Sequence, residues 1–84
     1  MIYIYVLRST SDGHLYTGCT SNLRSRFALH NAGKVPSTRD RRPLDLIYYE
    51  ACLNKEDAFR REKYLKTTYG KRYIRTRCKN YFTG

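Results

Sequence analysis

Hydrophobic side chains recur with a period of two at the start of the chain, which predicts a pair of short strands. In residues 2–7, isoleucine and valine alternate with tyrosine and leucine, so each face of an extended strand carries its own apolar set. The turn residues Asp12 and Gly13 follow, and a second run of strand formers covers residues 15–19. Asp-Gly between two such runs is a strong hairpin signal. Because the loop is longer than two residues, the sequence leaves the register of the hairpin open.

A helical pattern begins directly after the second strand. Ser21 and Asn22 are both good N-cap residues, and Gly33 suits the position just beyond a helix C-terminus. We therefore expect a helix over about residues 22–32, followed by a loop up to Pro43.

The second half of the chain predicts one more strand and two more helices. Residues 46–52 are rich in strand formers without clean alternation, which suits a central strand covered on both faces. Asn54 resembles the N-cap of a capping box, so a helix should span about residues 55–68. Gly70 breaks the helical pattern, and a last helix should follow over about residues 71–81.

Together these elements predict a single domain of the α/β class over residues 1–84. We expect a small three-stranded, mainly antiparallel sheet flanked by helices, in the order β-β-α-β-α-α. A chain of this length buries roughly 60% of its unfolded surface, so one sheet with a few helices is the natural plan. The predicted buried stripes of the last two helices consist of Ala58, Phe59 and Leu65, and of Ile74, Cys78 and Tyr81.

Charge changes the functional picture. Lysine and arginine number 17 against 7 acidic residues, a net charge of +10, which favours an anionic partner, first nucleic acid and then an anionic membrane surface. No run approaches the roughly 20 apolar residues of a membrane span, so we expect DNA and no membrane. The arginines of the loop before Pro43 can equally be ordinary solvated residues without a ligand. The predicted nucleic-acid contacts are Arg39, Arg41, Arg42, Lys66, Lys71 and Arg75.

The cysteines point to a reducing compartment. Cys19, Cys52 and Cys78 are widely spaced and odd in number, and they form neither a zinc pattern nor a disulfide framework. We expect them to be small, buried hydrophobic residues. Arg8 interrupts the opening apolar run, so we predict no signal peptide and a cytoplasmic location.

One acidic residue falls where a helix should bury its apolar side. Glu62 lies four residues after Ala58 and three before Leu65, and thus shares their stripe. A carboxylate there is costly without a partner. Spacing alone favours an ion pair with an arginine, whereas the functional alternative is a divalent cation, which prefers oxygen ligands.

The two tyrosine-bearing strands and the helix after them resemble the GIY-YIG nuclease domain. Tyr5 matches the tyrosine of the first motif, and Tyr-Thr-Gly at residues 16–18 matches the second. Arg26 and His30, four apart and therefore on one side of the helix, fall at the family's spacing. Tyr3 stands where the first motif has glycine, and threonine replaces the isoleucine of the second; neither position carries chemistry in the family. The resemblance covers nearly the whole chain and is closest to small stand-alone members, similar to an excinuclease nuclease domain.

The resemblance implies a metal-dependent endonuclease that hydrolyses phosphodiester bonds in DNA, in structure-directed cleavage or in repair or recombination. It implies that Glu62 holds Mg²⁺ or Mn²⁺ and that Arg26 stabilises the transition state. Tyr5 is then the general base, with a pKa that must be lowered from about 10. His30 would accept or orient the Tyr5 proton, and Tyr16 would position the phosphate or the water.

Asn80 is a further candidate, because some family members carry an asparagine of the site near this position; its alternative is an ordinary polar residue near a chain end. Two other classes of protein stay open: a basic nucleic-acid-binding module without turnover, and a small basic protein of a ribonucleoprotein particle. Binding needs only charge, so the joint occurrence of the site residues favours the enzyme. The sequence contains no P-loop, dinucleotide-binding or zincin motif.

Overall fold

The computed structural model describes all 84 residues and contains one antiparallel sheet of three strands. Strand β1 spans Ile2–Ser9, β2 spans Leu15–Thr20 and β3 spans Leu44–Cys52, in the spatial order β2-β1-β3. The predicted hairpin is confirmed, and its register pairs Tyr5 with Gly18. On the other side of β1, the partner of Tyr5 is Tyr49.

The centre of the sheet is the first strand, so the expectation of a central third strand is wrong. Ile4, Tyr5, Val6 and Leu7 are consecutive and all buried, because helices or loops cover both faces of β1. In β3, exposed positions such as Tyr49 interrupt half-buried ones, as is typical of an edge strand. Residues 2–7 are apolar on both faces, which is typical of a strand covered on both sides, but residues 46–52 are also largely apolar, so the pattern alone does not distinguish the central strand from the edge strand.

Four α-helices and one short 3₁₀ turn complete the fold. Helix α1 spans Leu23–Asn31, α2 spans Lys55–Leu65, α3 spans Thr68–Arg77 and α4 spans Lys79–Thr83. The 3₁₀ turn covers Arg39–Arg41.

Side-chain caps explain where three of the helices begin. The Asn22 side chain accepts a hydrogen bond from the Ser25 amide, and Asn54 accepts bonds from the amides of Glu56 and Asp57. Thr67 caps α3 in the same way. The predicted N-caps of the first two helices are thus confirmed, because capping depends on local sequence alone.

The prediction that Gly70 separates two helices is wrong, because Gly70 lies within the first turn of α3. The break falls earlier, where the Thr67 hydroxyl accepts the Gly70 amide at 3.1 Å. A Cβ at position 70 would meet backbone atoms of Tyr64 and Leu65, at the end of α2. Glycine is needed there because α2 and α3 lie in close contact, and not because a helix ends at this position.

Two predicted packing residues also differ from expectation. Phe59 is 49% exposed, because only Ala58 and Leu65 of its stripe face the sheet. Tyr81 is 43% exposed, and Phe82 packs on the core in its place. The chain restarts as α4 after Cys78, which changes the phase of the helix, and the Arg8 guanidinium then lies 5.3 Å from the centre of the Phe82 ring.

Two apolar clusters lie on opposite faces of the sheet. On one face, Ile4 and Val6 of β1 pack against Ala58, Leu65 and Ile74 of α2 and α3, with the three free cysteines at the edge. The cysteines are half-buried rather than fully buried.

On the other face, Tyr5 and Leu7 pack with Leu44, and Leu23 and Phe27 of α1 cover them. Because side chains alternate between the two faces of β1, Tyr5 lies on the face that α1 covers, and α1 is the helix that carries Arg26 and His30. None of the four helices combines the length and apolar character that a membrane crossing requires.

The close approach of α2 and α3 makes Gly70→Ala a test of this packing. In an open helix, alanine would be the more stabilising residue by about 0.5–1 kcal/mol. Here the added methyl meets backbone, so we expect the free energy of unfolding to fall by about 1–3 kcal/mol. Chemical denaturation measures this, with Thr76→Ala at an exposed position of α3 as the control. An unchanged or raised stability of Gly70→Ala would contradict the packing.

Candidate active site

A buried chain of hydrogen bonds joins β1, α1 and the loop after α1. The Tyr5 hydroxyl lies 2.8 Å from His30 Nε2, and His30 Nδ1 lies 2.7 Å from Thr38 Oγ1. His30 and Thr38 are fully buried, and Tyr5 is 1% exposed. Both ring nitrogens of His30 therefore have a partner, and the ring is held in one orientation.

Gly18 makes room for the Tyr5 side chain. It lies directly opposite Tyr5 in the hairpin, and a Cβ at this position would overlap the ring and hydroxyl of Tyr5. The glycine of the second motif is thus explained by the tyrosine of the first. A glycine inside a strand often marks a close approach, and the register identifies Tyr5 as the group that approaches.

Tyr16 completes an aromatic cluster around His30. The Tyr16 and His30 ring centres are 5.2 Å apart, and those of Tyr5 and His30 are 5.5 Å apart, both in edge-to-face geometry. Such pairs are each worth about 0.5–1.5 kcal/mol beyond the area they bury. The two phenols and the imidazole are therefore brought together as the sequence predicted.

Two charged residues act on this cluster from different helices. Arg26 is half-buried on α1, and hydrogen bonding from its guanidinium lowers the pKa of Tyr5. The Glu62 carboxylate raises the pKa of Tyr5 and also that of the Cys19 thiol on β2. Glu62 thus lies within electrostatic reach of the tyrosine, although α2 covers the opposite face of the sheet from α1.

The net effect on Tyr5 is a raised pKa, opposite to the lowering that a general base requires. Burial is the largest cause, Arg26 counteracts it, and the charges of Tyr16 and Glu62 add to it. The groups of the chain therefore keep the phenol protonated at neutral pH. Lowering the pKa requires a further positive charge at the site.

His30 is shifted in the direction that keeps it neutral. Burial lowers its pKa to about 4, and the neighbouring charge of Arg26 contributes in the same direction. A neutral imidazole carries one N–H and one acceptor nitrogen. His30 can therefore accept the Tyr5 proton at Nε2 while donating to Thr38, or donate to the Tyr5 oxygen while accepting from Thr38.

The ion-pair partner of Glu62 is a lysine, not the arginine that spacing suggested. Lys66 Nζ lies 3.1 Å from the carboxylate, one helical turn away. The adjacent arginine, Arg61, instead makes two hydrogen bonds of 2.8 Å to Glu50 on β3. The Tyr48 hydroxyl donates to the same carboxylate at 2.8 Å. Arg61 therefore joins α2 to the sheet and is not available to Glu62.

The donor set fits a hard divalent cation that shares its ligands with a substrate. No group of three or more histidine, cysteine, aspartate or glutamate side chains is placed to form an all-protein metal cage. Mg²⁺ typically takes one or two carboxylates, waters and substrate phosphates. Glu62 would supply one such carboxylate, because its side chain is 21% exposed and its one ion-pair partner, Lys66, is itself 56% exposed.

Asn80 is not brought into this cluster. It is exposed on α4, and its side chain makes no hydrogen bond. The assignment of Asn80 to the site therefore stays a prediction without a supporting contact.

The predicted nucleic-acid contacts divide into two groups. Lys71 and Arg75 of α3 line a surface depression together with His14 and Arg41. Arg39, Arg42 and Lys66 are exposed elsewhere; Arg42 donates to the Arg39 carbonyl, and Lys66 is the partner of Glu62.

Thr38 is the site residue that sequence reasoning missed. It lies in the loop between Pro36 and the 3₁₀ turn, and no periodicity or motif marks it there. Its importance arises from burial together with a 2.7 Å contact to His30, which is eight residues earlier in the chain. Only the fold of the loop brings these two side chains together.

The fold and this cluster define a nuclease-type domain. The family described as the GIY-YIG catalytic domain matches residues 1–77, and the chain belongs to that family. Among its relatives is a UPF0213 protein of Staphylococcus haemolyticus, 46% identical over 66 residues that cover 77% of this chain and 79% of that protein. A UPF0213 protein of Clostridium perfringens is 45% identical over 67 residues, covering 79% and 71% respectively.

A solved structure shows the same fold. The solution NMR structure of the UPF0213 protein BH0048 from Bacillus halodurans superimposes with a TM-score of 0.57 and 34% sequence identity. The match covers 90% of this chain and 84% of that one. The resemblance to the GIY-YIG family noted in the sequence is confirmed by the family match and these relatives.

The lowered pKa of His30 predicts a pH dependence of stability. The folded pKa of about 4 lies below the unfolded value of about 6.5, so the unfolded chain binds a proton that the folded chain does not. Stability from this residue is fully present above about pH 6.5 and is lost as the pH falls toward 4. Denaturation at neutral and mildly acidic pH measures the loss, and NMR titration of the ring measures the pKa.

In the matched control, His30→Gln, the titrating group is absent. The fall in stability between those two pH values should then be smaller. A His30 titration midpoint near the unfolded value would contradict burial of the neutral ring.

Replacement of Thr38 tests whether its hydroxyl orients His30. Thr38→Val keeps the shape and removes the hydrogen-bond partner of Nδ1, whereas Thr38→Ser keeps the hydroxyl. We expect the ¹⁵N shifts of the His30 ring nitrogens to agree between the parent and Thr38→Ser and to differ in Thr38→Val. A buried nitrogen without a partner also costs about 1–3 kcal/mol of stability. Identical ring shifts in all three proteins would show that the hydroxyl does not hold the ring.

Proposed function

We propose that this protein is a metal-dependent endonuclease that hydrolyses phosphodiester bonds in DNA. The observation that carries the proposal is the joint placement of Tyr5, Tyr16 and His30 in one cluster, with Arg26 and Glu62 close enough to change the pKa of Tyr5. Binding alone needs only positive charge. A buried tyrosine–histidine–threonine chain beside an arginine and a carboxylate has the parts that proton transfer and charge stabilisation require.

Arg26 would bind the scissile phosphate. Its guanidinium is always protonated and presents a planar fork that matches phosphate oxygens. Its guanidinium lowers the pKa of Tyr5, so a phosphate bound to it would lie within electrostatic reach of the proton-transfer groups. Negative charge that grows on the phosphate oxygens in the transition state would strengthen this contact, and catalysis requires such preferential binding.

Tyr5 and His30 would handle the proton of the attacking water. In the resting state the phenol keeps its proton and donates it in a hydrogen bond to His30 Nε2, 2.8 Å away. Once that proton has passed to His30, the phenolate can accept the proton of the attacking water. Tyr16 borders the same imidazole and can orient the phosphate or the water.

Glu62 would hold the divalent cation, Mg²⁺ or Mn²⁺. When bound, such an ion supplies positive charge that lowers the pKa of neighbouring groups and stabilises the leaving oxygen. The carboxylate would exchange its ion pair with Lys66 for this cation, which frees the lysine for a phosphate.

The substrate would be DNA held through its backbone. The net charge of +10 and the depression lined by Arg41, Lys71 and Arg75 support contacts that position a strand without reading its sequence. We propose structure-directed cleavage, in DNA repair or recombination, in the cytoplasm.

Two observations favour a second candidate, a basic nucleic-acid-binding module without turnover. The pKa of Tyr5 is raised, and Glu62 is already paired with Lys66. A protein that never cleaves keeps both features, whereas a nuclease must lose both when metal and substrate bind.

Replacement of Glu62 and of Arg26 separates the two candidates. Glu62→Gln keeps the shape and weakens cation binding, so Mg²⁺-dependent nicking of supercoiled DNA should collapse while DNA affinity is retained or rises. Arg26→Ala removes a charge matched to the transition state, and loss of a comparable donor lowers rates by about 10²–10³. Nicking and affinity are measured side by side, with and without chelator.

The matched control is Glu56→Gln, which removes the same charge from an exposed position of α2. It should cleave as the parent does. If Glu62→Gln also cleaves like the parent, Glu62 is not the metal ligand; if the parent cleaves neither duplex, branched nor single-stranded DNA, the binding module is the better description.

A further inference from the structure

An aromatic groove lies beside Tyr5, on the face of the sheet that α1 covers. The groove has a volume of about 570 Å³, and its lining includes Tyr3, Leu23, Arg24, Phe27, Leu46 and Tyr49. The rings of Tyr3 and Tyr49 meet edge to face with their centres 6.1 Å apart. Tyr49 is 56% exposed, so one ring is open to a ligand.

The register of the sheet places this groove next to the candidate site. Tyr49 on β3 is the direct cross-strand partner of Tyr5, and such partners have Cβ atoms about 4.5–5.5 Å apart on one face. Tyr3 lies two residues before Tyr5 and therefore projects from the same face of β1. Phe27 follows Arg26 on α1. A strand whose phosphate lies at Arg26 and Tyr5 would thus carry its neighbouring nucleotide to the groove.

The chemistry of the groove suits a base rather than a phosphate alone. Tyrosine rings provide flat, apolar faces on which any base can stack, whereas the base faces of a duplex are already occupied by neighbouring bases. The one charged residue of the lining is Arg24, an exposed cation, and no carboxylate lines the groove. This charge complements a nucleic-acid backbone and disfavours a second copy of this chain, which carries +10 itself.

We propose that this groove is a nucleobase site, at which an unpaired base of the DNA strand stacks on Tyr49 while the adjoining phosphate lies at Tyr5 and Arg26. The proposal rests on the proposed function and makes it more specific, since it assigns single-stranded or locally unpaired DNA as the preferred substrate.

Binding measured in chelator tests the groove without any cleavage. A fluorescent oligothymidylate is compared with an abasic strand of the same length, which keeps every phosphate and lacks the bases. The parent should bind the oligothymidylate at least about tenfold more tightly than the abasic strand, because only the oligothymidylate has bases that can stack on an aromatic side chain. Equal affinity for the two strands would overturn the proposal, and this comparison needs no variant.

Variants of Tyr49 locate the effect. Tyr49→Ala should lose most of the preference for bases and bind the abasic strand as the parent does, whereas Tyr49→Phe should keep the preference because it keeps the ring. Tyr69→Ala is the matched control, since Tyr69 is a 68% exposed tyrosine on α3, away from the groove. If Tyr49→Ala retains the full preference for bases, the groove is not the site.

Two further measurements separate this inference from its alternatives. Sedimentation that shows a dimer of the parent, dissociated by Tyr49→Ala, would make the groove an interface between copies and overturn the base site. A preference for bases in a protein that cleaves nothing would uphold the groove and overturn only the nuclease. Cleavage without any preference for bases would uphold the nuclease and overturn the base site.

Discussion

The hydrogen bond between Tyr5 and His30 is the contact on which the arrangement of this domain depends. It connects the central strand to α1 across 25 residues of chain, at 2.8 Å and with both side chains buried. A buried hydroxyl or imidazole without a partner costs about 1–3 kcal/mol, so each residue constrains the position of the other. Gly18 must lack a side chain to leave room for this pair, and Thr38 must be buried to satisfy the second nitrogen of the ring. Hairpin, helix and loop are thereby placed relative to one another by one polar chain within an otherwise apolar layer.

The same burial determines the chemical state of the site at rest. It raises the pKa of Tyr5 and lowers that of His30, so both groups are neutral near pH 7. Arg26 is the group that favours the phenolate, and Glu62 opposes it. Under the proposed function, a cation bound at Glu62 would cancel that opposition and favour the phenolate.

Two neighbouring residues of α2 have different roles because they project in different directions from the helix. Arg61 and Glu62 are adjacent in sequence and point to different neighbours. Arg61 reaches β3, where Glu50 accepts two of its N–H groups, and its guanidinium lies 4.9 Å from the centre of the Tyr73 ring. Glu62 is left with an exposed lysine one turn away. The basic residue is thus committed to packing, and the acidic one is available to a ligand.

Local patterns in the sequence determined much of this protein. The hairpin, the N-caps Asn22 and Asn54 and the α1 spacing of Arg26 and His30 depend on residues within one or two turns, which periodicity and capping rules describe. Only the tertiary structure decided that β1 is central, that Gly70 belongs to α3, and that Thr38 and Tyr49 adjoin the site. Each of these features depends on contacts between residues that are distant in the chain, or on which elements cover a face of the sheet. Local sequence patterns do not specify such contacts.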